Sequence, residues 1–326
     1  MLHKEQHLAN VSSLSGFLLL KFSEVWEMQI LYFIGFLVFY LAAVAGNLLI
    51  ISAVASDHHL HTPMYFFLMS LAIQDVGQVS VIFPKAMANS LRNCRHISYS
   101  GCVAQVLMFV FFIASDFFLL TVMAYDRYVA ICNPLHYEIL MNKHVCIRMI
   151  ATVWNVSFFY DVLHTGGTFA TPFCSNDINQ FFCEIPALLK LACSDFHLAE
   201  IVVLFVSASI GLCCFIFIVV TYVHIFTAVL RIPSALGRQK AFSTCLPHLI
   251  VYSMFIFTGY FAYLKPTSNF TSHLDLAFTL LYSSFPPMMN PIIYSLRNKD
   301  VKHALSKLFG LRSSFRNNLS ILVQQR

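Results

Sequence analysis

The chain has 326 residues, of which 58% are hydrophobic, 15% aromatic and only 11% charged. Soluble domains carry about 25% charged residues, so this chain cannot clothe a water-facing surface, and its composition calls for lipid as solvent. The formal charge of +5 comes from scattered basic residues with no aromatic platform beside them, which argues against nucleic acid as a partner.

Residues 1–27 contain one apolar patch, Phe17 to Leu20, too short for the hydrophobic region of a signal peptide. The first span is therefore expected to serve as an uncleaved insertion signal. Seven apolar stretches follow, over residues 29–55, 63–88, 101–131, 146–169, 199–230, 242–264 and 274–296. Each is long enough to cross a bilayer with some tilt. The expected fold is an all-α membrane protein, one seven-transmembrane helix bundle over residues 29–296 with the lipid bilayer as its partner. Residues 297–311 place Val301, Ala304, Leu305, Leu308 and Phe309 at helical spacing with basic residues opposite. That pattern reads as a short amphipathic helix on the inner leaflet, followed by a polar, disordered tail to Arg326.

Seven spans put the two ends on opposite sides. With the N-terminus outside, the inner segments hold thirteen Lys and Arg and the outer segments seven, the asymmetry expected of a multi-pass plasma-membrane protein with an extracellular N-terminus. The sequon Asn10-Val11-Ser12 then lies on the glycosylated side. Similar triplets at Asn155 and Asn318 fall in a span and on the inner side, and Asn269-Phe270-Thr271 lies outside but close to the membrane. Five cysteines, Cys94, Cys102, Cys174, Cys183 and Cys193, lie outside, where disulfides are the default. Four cysteines allow three connectivities, so spacing leaves the pairing open.

Acids inside a membrane are costly and point to partners. Asp75 lies 12 residues past Pro63, and Asp116 lies 11 residues before Arg127. At 1.5 Å per residue both are about 16–18 Å from the inner ends of their helices, near mid-membrane. Either each acid is separately hydrogen-bonded, or the two share a sodium ion with Asn47 and Asn290 nearby; the second reading is the sharper. Apart from that ion, no cofactor is expected. Asp161 and His164 are three residues apart on one helical face. They are expected to bond each other or a loop backbone rather than to shape a ligand pocket. No nucleophile–base pair, phosphate loop or metal-ligand cluster stands out in the sequence, so an enzyme is not expected.

Longer strings decide the family. Met123-Ala124-Tyr125-Asp126-Arg127-Tyr128-Val129-Ala130-Ile131-Cys132 closes the third span. Gly46-Asn47 lies in the first span and Pro63-Met64-Tyr65-Phe66-Phe67-Leu68 opens the second. Lys240-Ala241-Phe242-Ser243-Thr244-Cys245 with His248-Leu249 begins the sixth, and the run from Pro287 through Asn290-Pro291-Ile292-Ile293-Tyr294 to Lys299 ends the seventh. In that order they resemble the olfactory receptors, a branch of the rhodopsin-like G-protein-coupled receptors.

The resemblance implies roles. Arg127 would be held by Asp126 at rest and released toward the G protein, with Tyr128, Tyr222, Asn290, Pro291 and Tyr294 in the same machinery. Asp75 matches the acid that rhodopsin-like receptors use for sodium, and Asp116 stands where olfactory receptors usually carry glutamate. The resemblance also implies disulfides Cys102–Cys183 and Cys174–Cys193, with Cys94 left over. Gln180 replaces a histidine common in this loop, which weakens any metal-ion role there.

Counting along the helices from these motifs, the residues facing a ligand are Phe109, Val110, Ile113, Ala114, Val206, Ser207, Ile210, Tyr260, Tyr263 and Ser283. The set is mostly apolar and has no acid on the third helix to hold an amine. It suits a small volatile odorant, with a stimulatory heterotrimeric G protein as the partner that raises cAMP. Where the family usually shows Phe-Tyr-Gly, this chain has Phe255-Ile256-Phe257, and Tyr260, one turn further out, is expected to stand in. The rival readings are a rhodopsin-like receptor for an internal metabolite and, in a different class, a transporter, for which the paired internal repeats are missing.

Overall fold

The computed structural model describes residues 15–92, 94–193, 198–231, 233–264, 273–297 and 299–308. Its long helices are α1 (Trp26–Ser56), α2 (Pro63–Arg92), α3 (Tyr99–Cys132), α4 (Lys143–Ala170), α5 (Leu198–Leu230), α6 (Ala235–Leu264) and α7 (His273–Arg297). A short α8 (Lys299–Leu308) follows. Among the described residues, α1 to α6 each contain a segment apolar enough to cross a membrane. With α7 beside α1, α2 and α6, they close a seven-helix bundle.

Local chemistry fixes several helix ends. Ser98 Oγ accepts from Gly101 N at 3.1 Å and so caps α3. Asn142 Oδ1 accepts from Val145 N at 3.0 Å and caps α4. Pro63 opens α2 at a position where its missing N–H costs nothing. Pro84, Pro247, Pro286, Pro287 and Pro291 lie inside helices, where neighbouring helices satisfy the freed backbone groups.

Helix α3 is the axis of the bundle and packs against α2, α4, α5 and α6. Its inward residues, among them Cys102, Val106, Phe109, Ala124 and Arg127, recur at helical spacing and are buried. The opposite surfaces are apolar and bare. Phe205 is 73% exposed, Phe159 66% and Leu31 61%, a jacket that only lipid can solvate. Helix α1 meets α7 closely at Gly46, where an added Cβ would lie 3.0 Å from the Pro291 ring.

The apolar patch near the N-terminus has a structural role that the sequence reading missed. Residues Gly16–Leu18 form β1, antiparallel to β2 (His96–Ser98) in the α2–α3 turn. On its other side the strand meets the long loop after α4, with Leu18 N donating to Asn176 O and Ile178 N to Leu18 O, both at 2.7 Å. Phe17 is fully buried between these segments, and Arg95 pairs with Asp177 at 2.7 Å beside them. A side chain at Gly16 would run into the Ile97 carbonyl.

Helix α6 starts at Ala235, seven residues before the expected 242. Hydropathy marks the bilayer, whereas the helix continues through its polar first turns. Helix α8 falls inside the expected amphipathic segment, with Val301 and Ala304 buried. Asn10, Asn269, Asn318 and the tail beyond Leu308 lie outside the described residues.

Candidate functional site

One end of the bundle carries the disulfides and the other carries Arg127. At the disulfide end, Cys102 in the first turn of α3 is bonded to Cys183, and Cys174 to Cys193, with Cα separations of 5.6 and 4.8 Å. Cys94 is an exposed free thiol. These bonds draw the loop after α4 down over the helices. Phe181 and Phe182 become fully buried, and Gln105 Oε1 accepts from Cys183 N at 2.9 Å.

The same loop buries a carboxyl. Glu184 accepts hydrogen bonds from Tyr282 and, at 3.5 Å, from Thr279 Oγ1. Gln180 Nε2 donates to the same threonine hydroxyl at 3.0 Å. Burial pushes the Glu184 carboxyl up to about 7, against the bonds from Tyr282 and Thr279 and the charge of Lys190, which pull it down.

Below this roof lies a cavity of about 220 Å³ between α3, α4, α5, α6 and α7. Of the expected ligand contacts, Val110, Ile113, Ala114, Ser207 and Ile210 line it. Three others lie elsewhere. Phe109 points to Phe182 and Tyr282, with ring centroids 5.0 and 6.1 Å away. Val206 is 45% exposed on the outward face of α5, one helical step away from Ser207. Ser283 is buried and donates to Thr279 O at 2.6 Å. The side chains of Tyr260 and Tyr263 lie outside the described residues.

The cavity also takes Phe117, Phe118, Tyr160, Ile185, Phe255 and Ile256, together with His164. Among these, His164 corrects the sequence reading. Asp161 does not bond it, accepting instead from Thr165 Oγ1 at 3.0 Å one turn along α4. His164 reaches across to Ser207 on α5, Nε2 to Oγ at 2.5 Å. Ser207 already gives its proton to Val203 O at 2.7 Å, so the imidazole Nε2–H must be the donor. This pair and the Tyr160 ring, tilted against the imidazole with centroids 4.3 Å apart, form a polar corner in an otherwise apolar chamber.

Midway down the bundle, Asn290 Nδ2 donates to both oxygens of Asp75, at 3.2 and 3.0 Å. With its amide oriented to satisfy both ends, Gln74 donates to Asp116 Oδ1 at 2.6 Å and accepts from Trp154 Nε1 at 2.9 Å. Asn47 Nδ2 turns away from the acids, donating to Ala43 O and Pro287 O. Among the described residues, Asn47 Oδ1, Asn290 Oδ1 and Ser115 Oγ are buried acceptors without a partner. The carboxylates of Asp75 and Asp116, with Asn290 in contact with the first, are hard oxygen donors of the kind a small cation takes.

At the far end, Asp126 and Arg127 are both buried. Asp126 Oδ1 accepts from Tyr137 of the turn after α3 at 2.8 Å. Burial pushes the Tyr137 phenol above its ordinary range, so it remains a donor. Arg127 donates to Met123 O at 3.1 Å and lies in the fields of Tyr222, Tyr294 and Asp126. Tyr222 meets His248 of α6, and His248 meets Leu120 O, each at 2.8 Å. Tyr128 packs edge-on against His224, and Pro291 is buried beside Gly46.

A family model for the olfactory receptors matches residues 36–312. Human olfactory receptor 14A2 is 47% identical over 302 residues, covering 92% of this chain and 96% of the relative. Human olfactory receptor 14I1 is 48% identical over 301 residues, covering 92% and 97%. The crystal structure of squid rhodopsin superposes with a TM-score of 0.70 over 86% of this chain and 81% of that one, at 15% identity, a likeness of fold. Such receptors are signalling proteins, not enzymes. The chain belongs to the olfactory receptor family.

Proposed function

We propose that the chain is an odorant receptor of the plasma membrane, which admits a small volatile molecule to its cavity and activates a stimulatory heterotrimeric G protein, raising cAMP. The observation that carries this reading is the path of α3. Val110, Ile113 and Ala114 line the cavity, and the same helix ends in Asp126–Arg127, about 20 Å further on.

A ligand that fits one arrangement of α3, α5 and α6 better than another shifts the receptor toward it, by no more than that difference in affinity. The cavity lining includes no carboxylate among the described residues, which disfavours a protonated amine. Its aromatic walls and single polar corner favour a small neutral molecule. The disulfide end is assigned to the extracellular side, since the basic residues concentrate at the opposite end.

The test is a panel of volatiles and of water-soluble metabolites applied to cells expressing the receptor, with cAMP as readout. A response confined to volatiles is expected. A well-expressed receptor that ignores every volatile and answers a charged metabolite would overturn the reading.

A further inference from the structure

A second concavity, of about 390 Å³, opens on the bundle's outer face between α3 and α4, toward the Arg127 end. Phe118 and Thr121 of α3 and Val145, Arg148, Thr152 and Val156 of α4 shape it. On α4 these residues fall at steps of three and four, one stripe of the helix. The stripe runs about 12 Å from Arg148 to Val156.

The two threonines add little polarity to its walls. Thr121 Oγ1 donates to Phe117 O at 3.2 Å and Thr152 Oγ1 to Arg148 O at 2.8 Å, so both protons are used within their own helices. The trough is therefore an apolar slot headed by one guanidinium. Arg148 is exposed and has no acidic partner among the described residues. It stands five residues into α4, about 7.5 Å along the axis, a depth suited to the headgroup layer.

We infer that this trough is a binding site for one anionic phospholipid of the inner leaflet, with an acyl chain in the slot and the headgroup phosphate on Arg148. Charge complementarity selects the occupant. An unpaired guanidinium at the mouth of an apolar groove matches a lipid carrying a phosphate and a net negative charge. The cytoplasmic leaflet is where anionic lipids concentrate. The assignment of leaflet rests on the proposed orientation; the binding site itself needs neither odorant nor G protein, so the two readings can fail separately.

The experiment is native mass spectrometry of the purified full-length receptor titrated with phosphatidylglycerol or phosphatidylcholine. Wild type should retain the anionic lipid preferentially. Arg148→Gln should reduce that retention about fivefold, while Lys302→Gln, an exposed cation of α8 away from the trough, should leave it unchanged. Thr152→Trp, which fills the slot without touching the charge, should reduce it as well. Equal retention of the two lipids by wild type, undiminished retention by Arg148→Gln, or an equal loss in Lys302→Gln would each overturn the site. Undiminished retention in a folded Thr152→Trp receptor would overturn the acyl-chain placement.

Discussion

Tyr222 on α5 and His248 on α6 share a buried hydrogen bond of 2.8 Å, and His248 hands it on to the backbone carbonyl of Leu120 on α3. The carbonyl can only accept, so Nε2 carries the proton and Nδ1 accepts from the tyrosine hydroxyl. One neutral imidazole thus ties three helices together a short distance from Arg127.

His248→Leu fills the site with an apolar side chain but orphans the Tyr222 hydroxyl and removes the extra bond to the Leu120 carbonyl, which keeps its partner within α3. Leaving a buried group unsatisfied costs about 1–3 kcal/mol. Thermal unfolding of purified receptor should show a lower Tm, and Tyr222→Phe, which orphans only the imidazole acceptor, a smaller drop. Equal Tm values for His248→Leu and wild type would remove the imidazole from the account of stability.

Arg127 is buried, donates to its own helix backbone at Met123 and faces two tyrosine hydroxyls. Loss of the guanidinium at the inner end of α3 is expected to fall on coupling. Arg127→Ala is expected to reduce odorant-evoked cAMP more than tenfold, with cell-surface expression retained. An unchanged response at equal expression would mean that G-protein contact is made elsewhere.

The polar corner offers a sharper handle on ligand choice. His164→Phe preserves the ring but removes the donor that holds Ser207. A lost hydrogen bond of about 1.4 kcal/mol corresponds to tenfold in affinity. Oxygen-bearing odorants should lose about tenfold in potency while hydrocarbon analogues of the same size keep theirs. A uniform loss across both classes would reduce the corner to packing.

Much of this arrangement was legible in the sequence, and the exceptions have physical reasons. The spans were readable because lipid demands long apolar runs, and motif strings such as Asp126-Arg127-Tyr128 fixed their order. Phe109 and Val206 were assigned to the cavity by counting along a helix, which cannot say which neighbour fills the space before a ligand does. For Phe109 that neighbour is Phe182, brought in by a loop whose path depends on Cys183. His164 was read as local because its bond to Ser207 spans 43 residues. The strand at Gly16–Leu18 was hidden for the same reason, since its partners come from two distant loops.

Glu184 should give the receptor a pH signature. Burial raises its carboxyl from 4.5 to about 7, so the folded state holds the proton more tightly than the unfolded chain. The stability this confers is full below about pH 4.5 and is lost as pH rises through about 7. Tm measured from about pH 5 to about pH 8 should fall, and Glu184→Gln, permanently neutral, should flatten that part of the fall. An identical slope in the variant would assign the pH dependence to other groups.

Asp75 and Asp116 pose the last question of charge. Asn290 serves the first and Gln74 the second, yet neither amide brings a positive charge to the two acids. The unpartnered oxygens of Asn47, Asn290 and Ser115 add neutral acceptors of the kind a hard cation uses. We propose that sodium binds this layer and favours the resting arrangement. Agonist binding then opposes sodium, and by linkage each weakens the other by the same factor. Agonist affinity of purified receptor, compared in sodium and in a bulky organic cation at equal ionic strength, should be lower in sodium by about fivefold or more, the lower end of ordinary allosteric coupling. Asp75→Asn should abolish that difference, because it removes a charge while keeping the volume of the side chain. If wild type binds agonist equally in both salts, or if Asp75→Asn keeps the full sodium effect, the acids are held by their amide partners alone and no ion enters.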